Sequence, residues 1–422
     1  MPRVLLFSHT TGYQLRAFND AAERLNVELI FATDRCHRLD DPWQDRAVAV
    51  RFHDIGASVA AIAEAIRARP VEGVMAVGDR PVVLAAHAAQ ALRLPWHRPE
   101  GARASTDKRL SRAALAAAGL PAPGFVVVDA ATSDAGRELP FPFPVVLKPL
   151  GLSGSRGVIR ANDAQEFREA FARIQRLLAR PQIRSARAGL EDQILVETFI
   201  EGREFAVEGV MTQGTLTTFA IFDKPDPLDG PFFEETIYVA PSRAPEREQV
   251  AMREGVAHAA RALGLSHGPI HAECRVGGDG TVYVLEVAGR PIGGLCGRVL
   301  SFTGPAGTAS LEQVLLEHAL GRTIDAWTRE AGAAAVMMVP IPGAGRLKGV
   351  DGQEDARGVP GVFDVRMTAK PDQMLEPLPE AGSYLGFIFA RAADPAGAES
   401  AVRTAHQRLH FTIAPEIPID VR

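Results

Sequence analysis

PIHAECRVGGDGTVYVLEVAGRP, residues 269–291, reads as two strands joined by a Gly-Gly-Asp-Gly turn, because β-branched and alternating residues flank a cluster of turn formers. Pairing Val276 with Thr281 across that turn sets Glu273 opposite Val284 and His271 opposite Glu286. Opposed residues share a face, and so do residues two apart on one strand. Glu273 and Glu286 are therefore predicted to project from one face as diagonal neighbours, roughly 7 Å apart at Cα. Like charges this close raise one another's pKa unless something neutralises them. A hard divalent cation with oxygen ligands, Mg²⁺ before others, does so most simply. Arg290 follows one turn later, placed to face an anion held by such a metal. The other reading is an exposed hairpin whose carboxylates meet solvent, and the rest of the chain decides between the two.

The chain has 422 residues, 46% hydrophobic and 23% charged, a globular composition with room for several subdomains. A net charge of −5 without a basic block argues against nucleic acid or an anionic membrane as partner. The opening MPRVLLFSHTTG has too short an apolar run for a signal peptide, and no later run reaches the roughly 18 apolar residues of a membrane span. Cys36, Cys274 and Cys296 show no metal or redox spacing, so reduced thiols and a cytoplasmic location are expected.

Strands predicted at 3–8, 27–33 and 73–77 alternate with helices reaching about Leu25 and at 57–68 and 82–92, which implies a parallel sheet covered by helices. The loops at Gly12 and at 78–81 lie at the carboxyl ends of strands, where open α/β sheets bind ligands. No G-x-G-x-x-G is present, which argues against a dinucleotide. A helix capped at Ser105, Thr106 or Asp107 runs to Ala118. Lys108 and Arg109 occupy its first turn, where the helix dipole disfavours cations; such residues face a bound anion or simply solvent. FPVVLKP (143–149) is a strand ending in Lys148, and VIRA returns after a loop built from Gly151, Ser153, Gly154, Ser155 and Gly157. Backbone N–H groups of that loop can approach phosphate closely, although the loop is not a Walker A motif. After a helix at 164–179, ILVETFIEGREFAVEGVM reads as strand, turn at Glu201-Gly202, strand, with Glu197 and Glu204 flanking the turn.

Taken in order, a lysine in a capped helix, a strand lysine before a Gly-rich flap, V-E-x-F-I-x-G-x-E-F, and paired glutamates followed by an arginine resemble the ATP-grasp fold over about residues 1–330. The resemblance implies an α/β chain with four parts. These are an N-terminal Rossmann-like (pre-ATP-grasp) domain at 1–104, a small lobe with linker helix and flap at 105–195, a large lobe at 196–330, and a small C-terminal α/β cap at 331–422. It implies ATP and one or two Mg²⁺ ions, with Mn²⁺ as a substitute. Lys108 and Lys148 would contact phosphates beneath the flap. Glu197, Thr198, Phe199 and Ile200 would line the adenine edge, and Glu204 the ribose. Glu273 and Glu286 would hold the metal, and Arg290 would stabilise the transferring phosphate and the acyl oxyanion. The family's usual Glu-x-Asn is here Glu286-x-Ala288, which leaves the number of metal ions open.

EVAGRPIGGLCGRVL resembles the L-amino-acid ligases and their carboxylate–amine ligase relatives, and the tail from AAAVMMVPIPGAG onward resembles their C-terminal domain; biotin carboxylase is a more distant likeness. The branch implies small-molecule carboxylate and amine substrates and a homodimer. Gly293 and Gly294 would let backbone approach the substrate. In the loop DKPDPLDGPFFEETIYVAPSR (223–243), Lys224 would contact an acyl phosphate, and Glu235 and Tyr238 an α-ammonium group; an ordinary surface excursion is the alternative. His271 is open between ligand and buried hydrogen-bonded residue, whereas Cys296 reads as packing. The expected reaction is ATP-dependent amide ligation, probed against two rivals: carboxylation or formyl transfer of the purine and biotin type, and a non-catalytic ATP-binding module.

Overall fold

The computed structural model describes residues 1–9, 14–34, 47–132, 139–185, 189–190, 192–305 and 307–415. Gly12 and Cys36 lie outside the described residues. The chain divides into two compact units, each assembled from three separate stretches.

The first unit takes Met1–Ala122, Phe205–Ile221 and Pro245–Glu330. Its amino-terminal part is a parallel sheet in the order Val48–Ala49, Glu28–Thr33, Arg3–Ser8, Gly73–Ala76. The central strand is buried along its whole length, as expected of a parallel strand covered on both faces. Gly73 admits no side chain, since a Cβ there would sit 2.4 Å from the Ala319 carbonyl oxygen. The helix predicted from Val82 begins at Asp79, directly after Gly78 (φ +85). Pro81 falls in the first turn, where no intrahelical N–H is needed, so the proline does not delay the helix. Asp79 thereby sits at the carboxyl end of a strand.

The unit's second sheet carries Val282–Ala288, Gly268–Val276, Arg203–Thr212 and Thr215–Asp223 as neighbours, in that order. Helix Glu246–Leu263 packs against the first two of them. Helix Lys108–Ala117 is capped by Asp107, whose carboxylate accepts from the N–H groups of Arg109 and Leu110.

Buried histidines occupy this unit's interior. His97 Nε2 lies 2.9 Å from the Pro269 carbonyl oxygen, and burial pushes its pKa down to about 4. His318 stacks on His267 at 4.4 Å and meets Thr212 Oγ1 at 2.9 Å; burial, with His267 and His97 nearby, pushes it down to about 4 as well. Both rings are neutral in the folded chain and take up protons once unfolded, at an ordinary pKa near 6.5. The unfolded state therefore binds more protons between about pH 6.5 and 4, and stability falls as pH drops through that window, by about 3 kcal/mol for a fully buried ring. Urea midpoints measured at pH 7 and pH 4.5 are expected to show this loss, and a His318→Gln variant to show a smaller one.

The second unit takes Pro123–Glu204, Phe222–Ala244 and Ala331–Arg422. One sheet is antiparallel in the order Phe125–Asp129, Gln193–Thr198, Val145–Pro149, Ile159–Ala161. Helix Ala164–Leu178 buries Phe167, Phe171 and Ile174 against Val145, Leu147 and Val196 of that sheet. The tail ends in helix Pro395–Gln407 and strand His410–Ala414. Its strands Ala333–Val339, Gly386–Ala392 and Val362–Met367 continue a sheet from Ile237–Ala240. The helix joins these strands in one core, with Ile237, Val239, Ala335, Ile388, Ala398 and Val402 all buried. The tail thus continues a sheet through its pairing with the 237–240 strand.

Candidate active site

The 268–288 hairpin forms as predicted, but in a different register. Val276 pairs with Val282, not Thr281, and the Gly277 N–H donates to the Thr281 carbonyl to close the turn. Continued without interruption, that ladder would set Glu273 opposite Leu285 and throw Glu286 to the other face, because a one-residue slip exchanges faces. The ladder is interrupted. Cys274 pairs with Val284 and Glu273 with Glu286, so Leu285 is an extra residue, a β-bulge. The two glutamates are thus directly opposed rather than diagonal, and His271 faces Ala288 rather than Glu286.

Around this pair the first unit assembles further polar groups. Arg290 Nε donates to Asp79 Oδ1 at 2.6 Å and its NH1 to the Pro291 carbonyl at 3.0 Å. Burial acts to lower the Arg290 pKa, but Asp79, Glu286 and Glu208 outweigh it and hold the guanidinium above its ordinary value. Glu208 is fully buried (0% exposed) on the neighbouring strand. It accepts from the Ile292 N–H at 3.1 Å and meets His271 Nδ1 at 3.0 Å. Burial pushes Glu208 up, with His271, the Ile292 N–H and Arg290 offsetting part of the rise. The other His271 nitrogen lies 3.9 Å from Glu273. Gly294 turns at φ +60, and Gly293 lies beside the Arg290 guanidinium. Lys108 is half-buried in the first turn of its helix, while Arg109 folds back on Asp107 at 3.0 Å. Cys274 and Cys296 are buried free thiols.

In the second unit, Lys148 is ion-paired with Glu197. Lys148 is opposite Leu195 in the ladder, so Glu197 is its same-face diagonal neighbour. The 151–157 loop connects two antiparallel strands and bends through left-handed backbone at Gly154, Ser155 and Gly157. Gly157 donates its N–H to the Pro379 carbonyl at 2.8 Å, and Arg156 Nε to that of Glu380 at 2.7 Å. Thr198, Phe199 and Ile200 follow Glu197, with the Arg160 guanidinium 4.1 Å from the Phe199 ring centre. Lys224 gathers three of the predicted residues. Its ammonium, 2% exposed, donates to Glu204 at 2.8 Å and Glu235 at 2.6 Å. Tyr238 OH donates to the other Glu235 oxygen at 2.5 Å. In this arrangement Lys224 is held between two carboxylates. The excursion's ends are tied, since Asp223 accepts from Ser242 and from Arg243.

Glu273, 25% exposed in its side chain, and Glu286 opposite it present hard oxygen donors on one face, a donor set that fits Mg²⁺. Ala288 supplies only a buried methyl group at the position opposite His271.

Three stretches match family models: an ATP-grasp N-terminal domain at 19–96, an ATP-grasp domain at 141–299 and an L-amino acid ligase C-terminal domain at 337–414. A crystal structure of L-amino acid ligase from Bacillus licheniformis superposes with TM-score 0.82 and 26% identity, over 98% of this chain and 99% of that one. The chain is an ATP-grasp enzyme of the carbon–nitrogen ligase class. An uncharacterized protein of Sinorhizobium fredii is 25% identical to the ligase across 98% of this chain and 84% of its own. A D-alanine–D-alanine ligase of Aromatoleum aromaticum is 28% identical over 187 residues, 44% of this chain and 56% of that enzyme. Among the described residues, no helix of the ligase is long and apolar enough to cross a membrane.

Two groups of the ligase escaped the sequence reading. Glu208 carried a signal, an acid inside the apolar run FAVEGVM, where charge is out of place unless partnered. Asp79 falls in the 78–81 stretch at the end of a strand, where no local pattern distinguishes it from its neighbours.

Proposed function

We propose that the ligase couples ATP cleavage to amide formation between an amino-acid carboxylate and an amine or second amino acid, through an acyl phosphate, releasing ADP and phosphate. The observation that carries this reading is the opposed Glu273–Glu286 pair with half-buried Arg290, held by Asp79, close behind it. Mg²⁺ held by those glutamates would neutralise the charge spreading over the transferring phosphoryl group. Lys108 and Lys148 would add cationic donors to the phosphates, with the backbone N–H groups of the 151–157 loop beside Lys148. Residues 197–200 would take the adenine edge and Glu204 the ribose. Arg290, already oriented by Asp79, would meet the acyl oxyanion with a fixed donor, which lowers reorganisation at the moment of reaction. Glu235, which accepts from Lys224 and from the Tyr238 hydroxyl, would receive a substrate ammonium in place of Lys224, with Tyr238 beside it. Lys224, once displaced, would be released toward the acyl phosphate. Gly293 and Gly294 would let backbone approach the substrate. A missing amide at Ala288 favours a single strongly held ion.

Hydroxylamine is the direct test. With Mg-ATP and an amino acid but no acceptor amine, the acyl phosphate is intercepted and the amino-acid hydroxamate accumulates with ADP. Phosphate release that follows bicarbonate or formate and yields no amino-acid hydroxamate would overturn the reading in favour of carboxyl or formyl transfer.

A further inference from the structure

The pairing of Glu273 with Glu286 depends on one extra residue in a strand, and a buried arginine sits on it. Leu285 is the residue left without a ladder partner, so its backbone needs another hydrogen-bond partner. Arg112 supplies one: NH1 donates to the Leu285 carbonyl at 2.6 Å. Arg112 projects from helix Lys108–Ala117 and is 1% exposed, among the largest fully buried side chains of the chain. A guanidinium is seldom buried so completely without a specific acceptor. Here the carbonyl at the bulge is one such acceptor.

We infer that Arg112 is a positioning residue for the metal carboxylates: by holding the Leu285 carbonyl it fixes the bulge, and the bulge keeps Glu273 and Glu286 on one face. The inference rests on the metal role proposed for those glutamates. If the bulge relaxes, the ladder continues from Cys274–Val284 with Glu273 opposite Leu285, and the two carboxylates point to opposite sides of the sheet. Arg112 touches neither the metal nor the substrate in this account. It acts on the register that presents the ligands, much as outer-shell groups orient metal ligands elsewhere.

The test is Mn²⁺ binding to the full chain in the presence of ATP, followed by electron paramagnetic resonance and independent of turnover. Arg112→Met is expected to weaken Mn²⁺ affinity about 10-fold or more, the usual scale for losing an orienting group. Arg112→Lys, which keeps a charge and one donor, is expected to fall between, and it remains informative if Arg112→Met does not fold. Deleting Leu285 removes the extra residue and leaves a regular ladder in which Glu273 still faces Glu286. In that background Arg112→Lys should no longer change Mn²⁺ affinity. Arg112 variants that melt at lower temperature yet bind Mn²⁺ like the parent would reduce Arg112 to a packing role and overturn the inference. Equal weakening in the deletion background would overturn it too. A parent chain that binds no Mn²⁺ with ATP would instead remove the proposed function, and the inference with it.

Discussion

Replacing Glu286 by alanine is expected to lower turnover about 1,000-fold or more while leaving the chain folded. The first half follows from charge. A carboxylate bound to the metal stabilises the phosphoryl transition state through that metal, and losing several kcal/mol there costs a factor of ten per 1.36 kcal/mol. The second half follows from position. Glu286 is half-buried on the strand Val282–Ala288, the last in its sheet, so its removal empties no core. It also removes one of two like charges facing each other across the ladder. Initial rates, circular dichroism and thermal melting, measured together, check both halves. An active Glu286→Ala enzyme with ordinary metal dependence would contradict the site assignment.

Arg290→Met is expected to damage turnover and stability together, and the two effects can be separated. Turnover should fall about 100- to 1,000-fold, the scale for removing one fixed donor to an oxyanion. Stability should fall as well, because truncating one partner of a partly buried ion pair leaves the other charge uncompensated. The uncompensated groups are Asp79, bonded to Arg290 Nε, and the more remote Glu208 and Glu286. Adding Asp79→Asn to Arg290→Met removes the stranded charge, so the double variant should regain much of the stability and none of the turnover. Arg290→Lys should not rescue, since a point ammonium cannot reproduce a guanidinium that bonds Asp79 through one nitrogen and the Pro291 carbonyl through another. Recovery of turnover by Asp79→Asn would assign Arg290 to structure rather than chemistry.

The hairpin shows how far the sequence could be followed. Alternation and turn residues located both strands and named both glutamates, because a period of two and a Gly-rich turn are local properties. The register was misjudged because the bulge is not local. Nothing in VYVLEVA marks Leu285 as the extra residue; its carbonyl is taken by Arg112, 173 positions away in the chain. The place of Lys224 in the 223–243 loop suggests an acyl-phosphate contact; its pairing with Glu204 and Glu235 depends on strands that meet only in the folded unit. Glu208 was legible as a charge in an apolar strand, yet its role needed the Ile292 N–H and His271 beside it. The capped helix that begins at Lys108, the Lys148 strand and the Gly-rich loop are local patterns, and the structure carries them as helix, strand and loop.

The central claim is amide ligation from amino acids. It is tested by supplying Mg-ATP with the standard amino acids singly and in pairs, following phosphate release and weighing the products by mass spectrometry. The account predicts phosphate release that depends on particular amino acids, with a product whose mass is the sum of two of them less one water, or of one amino acid and an amine less one water when an amine is supplied. Phosphate release driven by bicarbonate or formate with no condensed product would contradict it.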